Sequence, residues 1–148
     1  SPTAAVLDRL ASGLGVSLAS LFAEEARADA SPVSRRREQR EWRDPESGYV
    51  RRNLSPPGYP SPIELVEVVL PPGARVAYDR LERGLAQQVW ILSGTLELSV
   101  AGDAHRLAAG DCLAMRVEGP IVFHNRTRSD VRYLVALAPD TAMRGSAR

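Results

Sequence analysis

A chain of 148 residues has the size of one ordinary domain, and 44 % hydrophobic residues supply enough apolar material for a real core. The net charge of +1 excludes a strong overall field and gives no sign of nucleic-acid binding by the segment as a whole. No apolar run approaches the ~20 residues that a membrane-spanning helix needs, and no secretory signal pattern is present. One cysteine, Cys112, rules out an internal disulfide and suits a reducing compartment. The expectation is a soluble, cytoplasmic protein with no membrane partner.

The N-terminal residues differ in kind from the rest. Val6, Leu7, Leu10 and Leu14 recur at the spacing of one helix face. Gly13 and Gly15 then supply a stop, and Ser17 can cap a second short helix containing Leu18, Leu21 and Phe22. The words Ser1-Pro2-Thr3 and Leu7-x-x-Leu10-Ala11-x-x-Leu14-Gly15-Val16-Ser17-Leu18-x-x-Leu21-Phe22 resemble the closing helices of the lambda-repressor-like helix-turn-helix domain of the xenobiotic-response-element family of bacterial repressors. The resemblance covers residues 1–22. In that family the recognition helix, which enters the major groove, lies upstream, and the chain opens on Ser1 rather than Met. A preceding DNA-binding segment is therefore expected.

Residues 23–37 are rich in Ala, Ser, Glu and Arg and include the run Arg35-Arg36-Arg37, a composition that reads as a linker into a first strand near Glu38 to Trp42. The arginine run is either a solvated patch or a phosphate contact that helps seat an upstream domain on DNA. From residue 38 to 140 the pattern is that of β-strands. Apolar and β-branched runs span Ile63 to Leu70, Val89 to Leu92, Leu96 to Val100, Cys112 to Val117, Ile121 to Phe123 and Val131 to Leu137. Gly, Pro, Asn or Asp clusters bound each run, as in an all-β sandwich or barrel. Ser93-Gly94 and Ala101-Gly102-Asp103 read as hairpin turns, because Gly supplies positive φ. Prolines 56, 57, 60, 62, 71 and 72 fall between runs, and residues 141–148 form a tail.

Two glycine-punctuated blocks carry a more specific signal. Gly73 to Gly94 resembles the first signature of the cupin superfamily, in which a glycine is followed by His-x-His, then Glu, then a second glycine. Gly110 to Asn125 resembles the second signature, which runs from Gly through His to Asn. The resemblance implies a mainly β fold, a double-stranded β-helix or jelly-roll barrel, with a short α-helical N-terminal segment. It also implies four metal-ligand positions, and here these hold Asp79, Leu81, Gln87 and Ile121. A frame shifted by one places Arg80 and Glu82 in the first two positions, so neither register restores a histidine. No metal or other cofactor is expected.

Strand alternation sets the candidate pocket, since side chains two apart share a face. In the ligand-position frame Asp79, Leu81, Gln87, Val89, Ile121, Phe123 and Asn125 point inward, Met115 joins them, and Tyr133 closes the far side. Val89, Ile91, Ile121 and Phe123 also suit plain core. Asn125 either lines the pocket or pins a turn. Gln87, as an amide near the interior, requires a hydrogen-bond partner. His124 should face outward and His105 should lie on an exposed hairpin arm. Trp90 should face away from the pocket, packed under the N-terminal strands or at a dimer interface.

The order of helix-turn-helix remnant, linker and barrel resembles bacterial regulators whose C-terminal cupin senses a small molecule. Three function classes follow: a sensor domain with a small-molecule effector in the barrel, working as a homodimer that binds DNA through the upstream head; a metal-dependent cupin enzyme, a dioxygenase or isomerase; or a barrel serving only as a dimerisation module. The enzyme class needs open coordination by imidazole and carboxylate, and Asp79 is the one aligned residue of that kind. The reading is therefore a non-enzymatic sensor.

Overall fold

The computed structural model describes residues 29–78, 84–116 and 119–140. The helices expected within residues 1–22 lie outside these, as do Asp79, Leu81 and the tail. After a single 3-10 turn at Arg36–Glu38, ten strands follow: β1 Glu41–Arg43, β2 Val50–Asn53, β3 Glu64–Leu70, β4 Arg75–Tyr78, β5 Leu85–Ser93, β6 Thr95–Val100, β7 Asp103–Ala108, β8 Cys112–Arg116, β9 Ile121–His124 and β10 Val131–Pro139. They form a six-stranded sheet in the order β1-β2-β3-β10-β5-β8 and a four-stranded sheet in the order β4-β9-β6-β7. Every strand pair is antiparallel.

Alternation along the strands builds the space between the sheets. Val66, Val68 and Leu70 of β3, Val89 and Ile91 of β5, and Val131, Tyr133, Val135 and Leu137 of β10 are buried. Leu96 and Leu98 of β6 and Ile121 and Phe123 of β9 meet them from the smaller sheet in one hydrophobic cluster. Each expected run coincides with a strand, although Ile63 precedes β3 and Val117 lies outside the described residues. Four strands carry no apolar run: β1 reads Glu-Trp-Arg, β2 reads Val-Arg-Arg-Asn, β4 is four residues long, and β7 buries only Leu107. The first strand begins at Glu41, later than expected, because the 3-10 turn occupies Arg36–Glu38.

One turn differs from its sequence reading. Ser93-Gly94 does not close a hairpin, since β5 and β6 belong to different sheets. Gly94, at φ 84°, is the corner at which the chain crosses between them. A Cβ there would lie 2.7 Å from the Asp130 carbonyl oxygen, so both conformation and space demand glycine. The β6–β7 connection is a true hairpin: Val100 pairs with Asp103, and Ala101 and Gly102 both have positive φ, 48° and 91°, the I′ geometry that matches strand twist.

On the outer face of the larger sheet, Glu67 of β3 accepts hydrogen bonds from Arg52 and Arg132. Burial raises the Glu67 pKa, but hydrogen bonds and charge from Arg52 and Arg132 outweigh it and hold the carboxyl below its ordinary value. No helix among the described residues is long and apolar enough to cross a membrane.

Candidate functional site

The register lays the inward-facing residues of the six-stranded sheet in rows. The first row runs Glu64, Leu137, Gln87, Met115 across β3, β10, β5 and β8. The next is Asn53, Val66, Val135, Val89, Leu113, and a third is Trp42, Arg51, Val68, Tyr133, Ile91. The smaller sheet supplies Tyr78, Ile121 and Val100 in register, then Val76, Phe123 and Leu98. One end of the barrel, with Leu70, Leu96 and Val131 at 0 % exposure, is closed by hydrocarbon. At the other end Glu64, Gln87 and Tyr78 are half-buried.

The predicted pocket residues separate along this axis. Gln87 stands in the outermost row between Met115 and Leu137, where β5 reaches the open end. Val89, Ile121 and Phe123 are 0, 1 and 4 % exposed and belong to the packed cluster. Tyr133 is buried and stacks on Phe123 at 5.4 Å between ring centroids, 9° from parallel. Tyr78 meets the other side of Phe123 edge-on at 5.8 Å, so three rings join the two sheets across the interior. Burial pushes the Tyr133 hydroxyl well above its usual pKa, Tyr78 adds to the shift, and Arg51 opposes it. Tyr133 is therefore a neutral phenol, able to donate and accept one hydrogen bond each way.

Asn125 takes the pinning role. Its Nδ2 donates to the carbonyl of Leu70 at 2.9 Å and to that of Ser129 at 2.7 Å. Its Oδ1 accepts from the Thr127 amide at 2.9 Å and the Thr127 hydroxyl at 2.7 Å. All four side-chain hydrogen-bonding positions are thus filled by protein, and the fully buried amide ties the loop after β9 to the end of β3. His124 is on the outer face opposite Arg75 and Glu97, and His105 is exposed on β7. Trp90 is 46 % exposed on the outer face. It is not under β1 and β2, which lie at the opposite edge of the sheet.

Sequence reasoning passed over four inward polar residues, Asn53 of β2 among them. Arg51 is 8 % exposed and shares a row with Val68 and Tyr133, but the stretch Val-Arg-Arg-Asn has no apolar period to announce a strand. Glu64 shares the parity of Val66 and Val68, a signal available once β3 is started at Glu64 rather than Ile63. Tyr78 closes a short strand next to the first-signature positions. A cavity of about 470 Å³ lies beside the open end; Asn53, Glu64 and Val66 line it together with the proline-rich 55–63 loop, including Tyr59 and Ile63. Those prolines do more than punctuate.

The donor chemistry does not fit a metal centre. Among the four ligand positions, Leu81 and Ile121 carry no donor atom and Gln87 offers a neutral amide, which leaves one carboxylate where imidazole and carboxylate sets are needed. Among the described residues no group of three or more His, Cys, Asp or Glu is placed to hold a metal ion. The half-buried polar groups at the open end are the Glu64 carboxylate, the Gln87 amide and the Tyr78 hydroxyl, while Arg51 and Tyr133 lie two rows deeper in the packed interior.

No protein-family model and no curated protein matches the chain. Solved structures do. The Cupin_2 domain of an XRE family transcriptional regulator from Enterobacter cloacae is 20 % identical, with 61 % of this chain and 95 % of that chain covered and a TM-score of 0.55. An HTH_3 family transcriptional regulator from Vibrio cholerae is 21 % identical over 93 % of this chain and 72 % of that one, with a TM-score of 0.69. A sugar phosphate isomerase of the cupin superfamily from Silicibacter pomeroyi is 26 % identical, covering 62 % and 59 %, with a TM-score of 0.52. Regulators and an isomerase share one architecture at such identities, so the likeness speaks to fold and leaves activity to the site. With its two antiparallel sheets, the corner at Gly94 and these neighbours, the chain has a mainly β, cupin fold.

Proposed function

We propose that this chain is the sensor part of a DNA-binding transcriptional regulator, in which a small polar organic molecule enters the open end of the barrel and acts without a metal. The observation that carries the reading is the open end itself. Position for position, the metal-ligand sites hold a carboxylate, an amide and hydrocarbon, while Glu64, Gln87 and Tyr78 stand half-buried at that end above an apolar floor. A mostly apolar recess with a few convergent polar groups is how small-molecule sites are built. The resemblance of residues 1–22 to helix-turn-helix closing helices, and the regulator names among the structural neighbours, support placing such a sensor behind a DNA-binding head.

The effector would act by binding one arrangement of a dimer better than another, since a ligand shifts an equilibrium only by its differential affinity. β5 is the route from the site outward: Gln87 faces the interior while Trp90, three residues on, faces out of the same sheet. The test is a thermal-shift screen of the protein against polar metabolites, run in parallel on Gln87→Leu. A ligand at 100 times its Kd should stabilise by about 2.7 kcal/mol. The reading predicts a compound that raises the melting temperature of the wild type and not of the variant, and that alters operator affinity of the full regulator. A compound that stabilises both proteins equally, or leaves operator affinity unchanged, contradicts it.

A further inference from the structure

Beside the barrel a second enclosure is built from two stretches of sequence with no apolar period. Residues 32–40 form one wall and the proline-rich 55–63 loop the other, and with the adjoining ends of β2 and β3 they bound the cavity of about 470 Å³. Among the described residues the smaller sheet contributes nothing to its lining, and neither do β5, β8 and β10. Of the half-buried groups at the open end, Glu64 alone reaches it. Its volume is that of a small-molecule site. Both walls are held in place. The Asn53 amide donates to the Arg40 carbonyl at 3.1 Å and the Tyr59 amide to the Pro56 carbonyl at 3.4 Å. Ser55 Oγ accepts from the Leu65 amide at 2.8 Å, and Gln39 Nε2 donates to the Ser34 carbonyl at 3.4 Å. Prolines 56, 57, 60 and 62 fix φ along the loop. A recess built in this way needs little ordering when it is filled.

Folding leaves apolar surface uncovered here. The large hydrophobic side chains that stand exposed among the described residues are Val33, Tyr59, Ile63 and Trp90. Tyr59 and Ile63 line the cavity, and Val33 lies between Pro32 and Ser34, which line it too. The charged lining consists of Glu38, Glu64 and Arg40, so carboxylates outnumber the guanidinium. Arg35, Arg36 and Arg37 are exposed to solvent and do not line it. Arg40 and Glu64 have partners within the protein. Among the described residues, the Glu38 carboxylate and the Asn53 side-chain amide have none. We propose that this cavity is a second binding site, separate from the barrel interior, for a small organic cation: an ammonium carried on an apolar or aromatic body. Glu38 supplies the counter-charge for a charge-assisted hydrogen bond, the Tyr59 ring a face that attracts cations, and the Asn53 amide a further acceptor. The proline rings and Ile63 offer the apolar body a surface that water otherwise covers. An anion would bring its charge to an unpaired carboxylate, and a purely apolar molecule would leave that carboxylate unanswered. The proposal does not depend on the regulator reading.

The experiment titrates phenethylamine into the whole chain, with calorimetry for affinity and the side-chain amide resonances of Asn53 and Gln87 for position. Phenylacetate is the anionic counterpart on the same ring, and Glu38→Gln and Tyr59→Ala are the variants. Both substituted positions are exposed, and melting curves check that each variant is folded. The proposal predicts saturable binding of phenethylamine and a shift of the Asn53 resonance while that of Gln87 stays in place. Affinity should be at least about tenfold lower for phenylacetate and for each folded variant, the scale of losing one charge-assisted or cation–π contact. Absence of saturable binding, equal affinity for phenylacetate, variants that bind as the wild type does, or a Gln87 shift as large as that of Asn53 overturns it. The barrel effector is tested by a different screen on Gln87→Leu, so the two claims fail separately.

Discussion

The closed end of the barrel and its open end are made from the same strands and hold opposite kinds of residue. At the closed end Leu70, Leu96 and Val131 are wholly buried, and Asn125 spends every hydrogen-bonding position on the loop beside them. At the open end, six residues away along β3 and β10, Glu64 is half-buried opposite Leu137, and Gln87 stands in the same row, at a position that the sequence resemblance gives to a metal ligand. The difference teaches where each function resides. Packing at one end holds the two sheets together, and the half-buried polar groups stand at the other.

The comparison breaks if the closed end proves dispensable. Leu96→Ala removes a side chain at 0 % exposure, and denaturant unfolding should register a loss of about 2–5 kcal/mol. Asn125→Ala strands the Leu70 carbonyl and the Thr127 amide; the same measurement should give roughly 1–3 kcal/mol for each buried group left without a partner. At the open end Gln87→Leu should change unfolding free energy by less than about 1 kcal/mol, as a half-exposed substitution does, while removing the effector-dependent thermal shift. A large destabilisation by Gln87→Leu would make that residue part of the scaffold instead.

The smallest effect concerns the outer charge network, which belongs to neither end. The Glu67 pKa is lower in the folded protein than unfolded. Its contribution to stability is therefore fully present above the ordinary carboxylate value and is lost as the pH falls through the folded value. Melting temperature should decline over that acidic window, and Glu67→Gln should flatten this part of the curve. An unchanged acid profile in the variant would show that the ion pairs contribute nothing measurable.

Much of the closed end was legible in the sequence, because buried strands announce themselves by apolar alternation: β3, β6, β9 and β10 all coincide with apolar runs. The two glycine-punctuated blocks pointed to the cupin fold, and the structural neighbours have it. The open end was less legible for a physical reason. Its wall borrows from β2, a strand with no apolar period, and Arg51 enters the interior only because β2 pairs with β3 in a register that sequence spacing does not encode. Gly94 looked like a hairpin turn because a positive φ is common to hairpins and to corners between sheets; which of the two it serves depends on pairing partners remote in sequence. Asn125 could line a pocket or pin a loop until Leu70, distant along the chain, was seen to accept its hydrogen bond.

The most direct test of the central claim, that this barrel acts without a metal, is the metal content of protein purified from cells grown with added Fe, Mn, Ni and Zn. The account predicts far less than one equivalent of any transition metal per chain and no change in melting temperature on treatment with a chelator. One equivalent per chain, removed by chelation with loss of stability, would contradict it.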